Sequence, residues 1–279
     1  ETHIPDVRED LVPGFSHEYI NYMLGGSYRA SFRPLNDAIM AGRIRGVVAI
    51  VGCNNPRTTH DLLHTQITLE LLKNDVLVVE TGCSSIANAK LGLLLGEAGL
   101  DKVGPGLREI CETVGIPPVL HMGSCVDNSR ILTVLTQMVA EGGLGDDIDQ
   151  IPAVGLAPEW MSEKALSIAT YCVASGVYVI MGGANPIAGM PDKVEDSTLA
   201  LHYISTGWEK LYGGKLEFVD DLEEMIARTL AHIDKKRAAL GLPEYDPTRF
   251  GRSGDARIRE LEQLPLAERQ AALYGMPNR

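Results

Sequence analysis

The chain has 279 residues, 45% of them hydrophobic and 22% charged, a composition that suits one large α/β domain or two small ones. Its 37 acidic residues outnumber 25 basic ones, giving a net charge of −12 with no basic run, which disfavours a nucleic-acid surface. No apolar run approaches the roughly 20 residues that cross a bilayer, so no membrane span is expected, and the start carries no signal-peptide pattern.

In chain order, the stretch to about Gly42 reads as mixed helix and loop. Glu1 stands where a Met would start a chain, so a processed or cut polypeptide is expected. A recurring unit then begins. Val47 to Val51 is an apolar run ending in Gly52-Cys53, and the pattern Leu62, Leu63, Ile67, Leu71, Leu72 predicts a helix within 58–73. Val76 to Val79 runs through Glu80 and Thr81 into Gly82-Cys83, with a helix predicted over the Ala- and Leu-rich residues 87–98. Pro118 to Met122 runs into Gly123-Ser124-Cys125, followed by a helix from Asp127 or Ser129 to about Glu141. Two further units lack a tip cysteine. Ile151 to Gly155 leads through Ala157-Pro158-Glu159 into a helix over 162–175, and Val177 to Met181 ends in Gly182-Gly183. A strand and an amphipathic helix are predicted over 217–240. Beyond Gly241 the chain turns polar and Pro-spaced, with one helix predicted over 255–264.

Short β-branched runs alternating with helices predict an α/β fold, a doubly wound, mainly parallel sheet with helices on both faces in the Rossmann-like manner. The organisation expected is a domain over 1–241 and a C-terminal extension over 242–279. In such sheets ligands bind outside the carboxyl ends of the strands, which is where the Gly-Cys and Gly-Ser-Cys turns fall.

There are five cysteines, an odd and thin number for a disulfide framework. Cys53, Cys83 and Cys125 are candidate ligands, because thiolates bind soft metals and iron–sulfur clusters. They are one strand–helix unit apart, unlike the Cys-x-x-Cys pairs of zinc or redox sites, so they converge in space rather than in sequence. A buried cysteine often serves only as a small apolar side chain. That reading suits Cys111 and Cys172, which fall among helical positions, better than three cysteines at Gly-rich strand ends. No strand is followed by Gly-x-Gly-x-x-Gly, so a nicotinamide role carries little weight. Lys164 falls in the first turn of its helix, where the macrodipole disfavours a cation. Its place near a strand tip suggests a role with an anion, the alternative being a solvated lysine balanced by Glu159 and Glu163. His121 suits the core better than a metal, and Asp127 and Asn128 suit helix caps.

Four segments occur in order: Gly52-Cys53-Asn54-Asn55-Pro56, Thr81-Gly82-Cys83, the run His121 to Arg130 containing Gly-Ser-Cys-Val-Asp-Asn-Ser-Arg, and the run Ala157 to Leu166 containing Pro-Glu-Trp-Met-Ser-Glu-Lys. Together they resemble the anaerobic nickel-dependent carbon monoxide dehydrogenases, in their C-terminal cluster-binding domain, over roughly residues 14–241. The resemblance implies an oxidoreductase that interconverts CO and water with CO2, two electrons and two protons at a nickel–iron–sulfur cluster. It implies Cys53 and Cys83 as iron ligands, Cys125 as the thiolate on nickel, Lys164 as the catalytic group that stabilises bound CO2 and assists proton movement, and Ile168 as lining a gas-accessible pocket. It further implies a homodimer in oxygen-free cytoplasm, a ferredoxin-like electron carrier and an acetyl-CoA synthase as a possible partner. Family members are longer. Their N-terminal part supplies a histidine and further cysteines for the same cluster, together with further [4Fe–4S] iron–sulfur clusters, so the three cysteines here are expected to form part of a cage. Two alternatives are a metal-free domain with a structural or assembly role and a related hybrid-cluster (hydroxylamine) reductase. The Asn-Asn-Pro and Val-Asp-Asn-Ser-Arg turns argue against the latter.

Overall fold

The computed structural model describes residues 14–96, 99–186 and 207–251. Helices α1 (His17–Gly25) and α2 (Arg33–Met40) precede the first strand, β1 (Gly46–Ile50). Then follow α3 (Leu62–Lys73), β2 (Val76–Glu80), α4 (Cys83–Ala89), α5 (Pro105–Val114) and β3 (Val119–His121). A 3-10 turn (Cys125–Asp127) leads into α6 (Asn128–Glu141), then come β4 (Ala153–Ala157), α7 (Glu163–Ala174) and β5 (Tyr178–Met181). After residue 206 come α8 (Trp208–Tyr212), β6 (Lys215–Phe218), α9 (Leu222–Ala239) and α10 (Thr248–Gly251).

The six strands form one sheet in the order β3-β2-β1-β4-β5-β6, and every pairing is parallel. The doubly wound expectation is met. β1 pairs with β2 on one side, Val48 opposite Val78, and with β4 on the other, Val48 opposite Val154. Because the chain leaves β1 in one direction and returns to its other side at β4, the sheet has its topological switch point between these two strands. Side chains alternate across the sheet. Val47, Ala49 and Val51 face a space under α6 and α7, whereas a Cβ at Gly46 would stand 2.7 Å from Ile233 of α9 on the opposite face. Both faces are thus covered, which explains why the strands are continuous apolar runs rather than alternating ones. Val48, Ile50, Leu72, Val78, Leu156 and Ile180 are wholly buried, each contributing about 1.5–3 kcal/mol of apolar burial.

Two helix boundaries differ from the sequence reading. α4 begins at Cys83 itself and ends at Ala89, rather than spanning 87–98. Its first turn is pinned by the Ser84 hydroxyl, which donates to the Ile50 carbonyl at 2.7 Å, and a left-handed Gly92 (φ 72°) turns the chain away soon after its end. α3 starts at Leu62, not 58, because Thr58 and Thr59 are held in turns by Asn55 and Leu62. The helix predicted over 255–264 lies outside the described residues. Residues 243–250 pack on the amino-terminal edge of the sheet. Tyr245 donates to Asp75 at 2.8 Å, with the Arg45 guanidinium 4.5 Å over its ring, and Arg237 donates to the Pro243 carbonyl at 3.0 Å.

Candidate metal centre

Each candidate cysteine stands just beyond a strand end: Cys53 after β1, Cys83 after β2 and Cys125 after β3. The glycines before the turns have φ of +118° (Gly52), +70° (Gly82) and +131° (Gly123), a region that an L side chain enters only with strain. These bends let the three tips bond to one another. Cys83 N–H donates to the Gly52 carbonyl at 3.2 Å, and Gly82 N–H to the Gly123 carbonyl at 3.0 Å. Thr81 donates to Asn128, tying the β2 tip to the start of α6. Beyond β3, the Ser124 N–H donates to Asp127 Oδ2 at 2.8 Å in a capping box, so Asp127 serves the turn. That bond, followed by the Arg130 guanidinium, holds the Asp127 carboxyl below its ordinary value.

α7 delivers Lys164 to the same place. Its Nζ donates to Cys125 Sγ at 2.9 Å. The ammonium is held above its ordinary pKa first by that hydrogen bond and by the Cys125 charge, against desolvation, with lesser support from Cys53 and Cys83. The structure thus brings the four sequence-predicted residues to one end of the sheet, with Lys164 bonded to Cys125. Glu159, a proposed surface counter-charge for Lys164, is instead 1% exposed and turned toward α3.

Under Cys53, Cys125 and Lys164 lies an apolar cavity of about 70 Å³ between the sheet and helices α6 and α7. Ile168, one turn beyond Lys164, lines it, as does Cys172, whose thiol is pushed up to about 11 by burial. Cys111 sits in the core with its thiol pushed up to about 12, far from the thiolate form that binds metal. His121 is half-buried on β3, and desolvation holds its imidazole below the ordinary value.

Among the described residues no three His, Cys, Asp or Glu side chains lie within reach of a single metal ion. Cys53, Cys83 and Cys125 instead stand on three separate strand tips joined by backbone hydrogen bonds, a donor set that fits a polynuclear iron–sulfur-type group in which each metal takes one protein thiolate. Sequence reasoning missed the residues that back Cys53. The His64 ring is bonded to the Cys53 carbonyl (2.7 Å), Asp61 is paired with Asn54, and Glu159 caps α3.

The sequence model of the Prismane/CO dehydrogenase family matches residues 4–222. Carbon monoxide dehydrogenase 1 of Methanosarcina mazei is 45% identical over 242 residues, covering 87% of this chain and 36% of that protein. The carbon monoxide dehydrogenase/acetyl-CoA synthase subunit beta of Moorella thermoacetica is 36% identical over 257 residues, covering 89% and 37%. Among solved structures, the as-isolated Ni-free carbon monoxide dehydrogenase from Thermococcus sp. AM4 superposes with a TM-score of 0.74 at 46% identity, over 82% of this chain and 34% of that one. A chain of a structure described as NiZn[Fe4S4] and NiNi[Fe4S4] clusters in closed and open alpha subunits of acetyl-CoA synthase/carbon monoxide dehydrogenase matches with a TM-score of 0.73 at 36% identity, over 81% of this chain and 34% of that one. The chain thus spans little more than a third of the length of the curated relatives it matches.

Proposed function

The chain belongs to the Prismane/CO dehydrogenase family, and from that premise we propose that it is the cluster-binding part of an anaerobic, nickel-dependent carbon monoxide dehydrogenase. The observation that carries this reading is the joining of three strand-tip cysteine turns at one end of the sheet, with Lys164 bonded to Cys125. Cys53 and Cys83 would hold iron atoms and Cys125 nickel. A nickel–iron–sulfur cluster, when bound, supplies the two-electron chemistry that interconverts CO and CO2.

The chain's own residues do the rest. Lys164 presents a positive N–H donor beside Cys125, suited to the negative oxygens that develop on CO2, and holds a proton at Nζ that it can pass on. The apolar cavity lined by Ile168 and Ala169 offers small uncharged gases a place that water does not favour. Residues 1–241 form the cluster-binding domain in this reading and 242–279 its extension. The whole protein works as a homodimer in oxygen-free cytoplasm and passes electrons to a ferredoxin-like carrier. The names of the Moorella relative and of the acetyl-CoA synthase structure support an acetyl-CoA synthase as a further partner.

Elemental analysis of the anaerobically purified whole protein, together with a CO and viologen-dye assay, tests the reading. Stoichiometric nickel, iron and acid-labile sulfide with dye reduction is the expected result. A colourless metal-free protein overturns it, and so does a cluster that reduces hydroxylamine but leaves CO untouched.

A further inference from the structure

Cys53 sits on the least regular of the three tips, since the whole of 51–61, turn and loop, separates β1 from α3. What steadies that loop comes from elsewhere in the fold. Asp61 occupies the position before α3 in a left-handed conformation (φ 65°), yet its side chain does not cap the helix. Its Oδ1 accepts from Asn54 Nδ2 at 2.9 Å and its Oδ2 from Lys90 at 2.6 Å, while its own N–H donates to Asn54 Oδ1 at 3.1 Å. The capping bond that Asp61 forgoes is made by Glu159, from the loop between β4 and α7, whose Oε1 accepts the Leu63 N–H at 3.1 Å. Glu159 is 1% exposed and His64, the next residue of α3, is wholly buried. The His64 Nε2 lies 2.7 Å from the Cys53 carbonyl. A carbonyl can only accept, so Nε2 carries the proton. A second bridge joins the same two loops, from Asn55 Nδ2 to the Trp160 carbonyl at 2.9 Å.

We propose that Glu159 and His64 are positioning residues for Cys53. Glu159 caps α3 from the loop that leads to Lys164, and α3 in turn holds the His64 ring against the Cys53 carbonyl. Neither side chain touches a substrate. Their effect is to fix the Cys53 loop against the Lys164 helix before any metal arrives, so that two sides of the centre keep one spacing. The significance of that spacing rests on the reading of Cys53 as a metal ligand, but the clasp can be tested without metal.

The test is iodoacetamide labelling of the whole protein, prepared metal-free and reduced, with Cys53, Cys83 and Cys125 followed separately by peptide mass spectrometry. Glu159→Ala should speed labelling at Cys53 about tenfold, the factor expected when a cap of ordinary strength is lost and the local turn opens. Cys83 and Cys125 should label as in the parent. Glu159→Gln keeps an acceptor for the Leu63 N–H and should restore the parent rate. His64→Ala should accelerate Cys53 alone, and it carries the test should Glu159→Ala fail to fold. Equal acceleration at all three cysteines, no change at Cys53, or a Gln variant as fast as the Ala variant would each overturn the proposal. Because no metal is involved, failure here leaves the elemental analysis untouched.

Discussion

At the scale of single residues, Lys164 is the side chain whose position is hardest to explain as packing. A cation in the first turn of a helix opposes the dipole, and Glu159, the nearest buried carboxylate before it, is engaged with Leu63. Among the described residues, the sulfur of Cys125 holds its head, at 2.9 Å. The raised pKa keeps the ammonium charged through the neutral range. Lys164→Ala should therefore leave nickel and iron content as in the parent while CO oxidation falls on the order of a hundredfold, the usual cost of removing one preorganised charge-stabilising donor. Metal analysis and the dye assay on one preparation decide it. Undiminished turnover in a metal-replete variant would remove Lys164 from the mechanism.

At the scale of elements, the same substitution has opposite signs at two glycines of the sheet. Gly123 bends the tip of β3 with φ +131°, and a Cβ there would stand 2.5 Å from Asp127 Oδ2, in the middle of the capping box that shapes the Cys125 turn. Gly123→Ala should lower stability by roughly 1–3 kcal/mol through backbone strain. Gly155 lies within β4, where a Cβ would meet Val179 at 3.5 Å, an ordinary contact. Gly155→Ala should be neutral or raise stability by about 0.5–1 kcal/mol, since glycine is costly in a strand. Chemical denaturation of the pair checks both, and a fall of similar size in each would show that the tip is not specially constrained. The Gly-Cys tips were readable in the sequence because strand runs and turn glycines are local signals. α4 was misplaced because its start is fixed by Ser84 reaching the Ile50 carbonyl, a contact across the sheet that Ala and Leu content cannot report. The Glu159 cap was missed for the same reason, its partner lying 96 residues away.

At the scale of the whole molecule, the sheet divides its work between its two ends. The carboxyl end carries the cysteines. The opposite edge carries ion pairs and aromatic contacts that serve folding, and the parallel order that separates the two followed from the strand–helix alternation. Its balance of charge could not be read in the sequence, because it depends on which of many acids and bases become neighbours. His232 is the clearest case. It packs on the Tyr178 ring at 4.5 Å, with Lys215 and Glu217 of β6 and Lys235 and Lys236 of its own helix nearby. Desolvation, then the three lysines, push its imidazole down to about 4, with only Glu217 opposing. Above pH 6.5 the folded and unfolded chains both carry the neutral ring. Between 6.5 and about 4 only the unfolded chain takes up the proton, so the folded state loses ground throughout that window, and below it the loss is complete. The full effect is roughly 3 kcal/mol. His232→Phe keeps the ring contact and removes the proton site, so its stability should fall less than that of the parent between pH 7 and pH 4.5. Parallel thermal midpoints for the two proteins across that range would show that His232 is not the group that titrates.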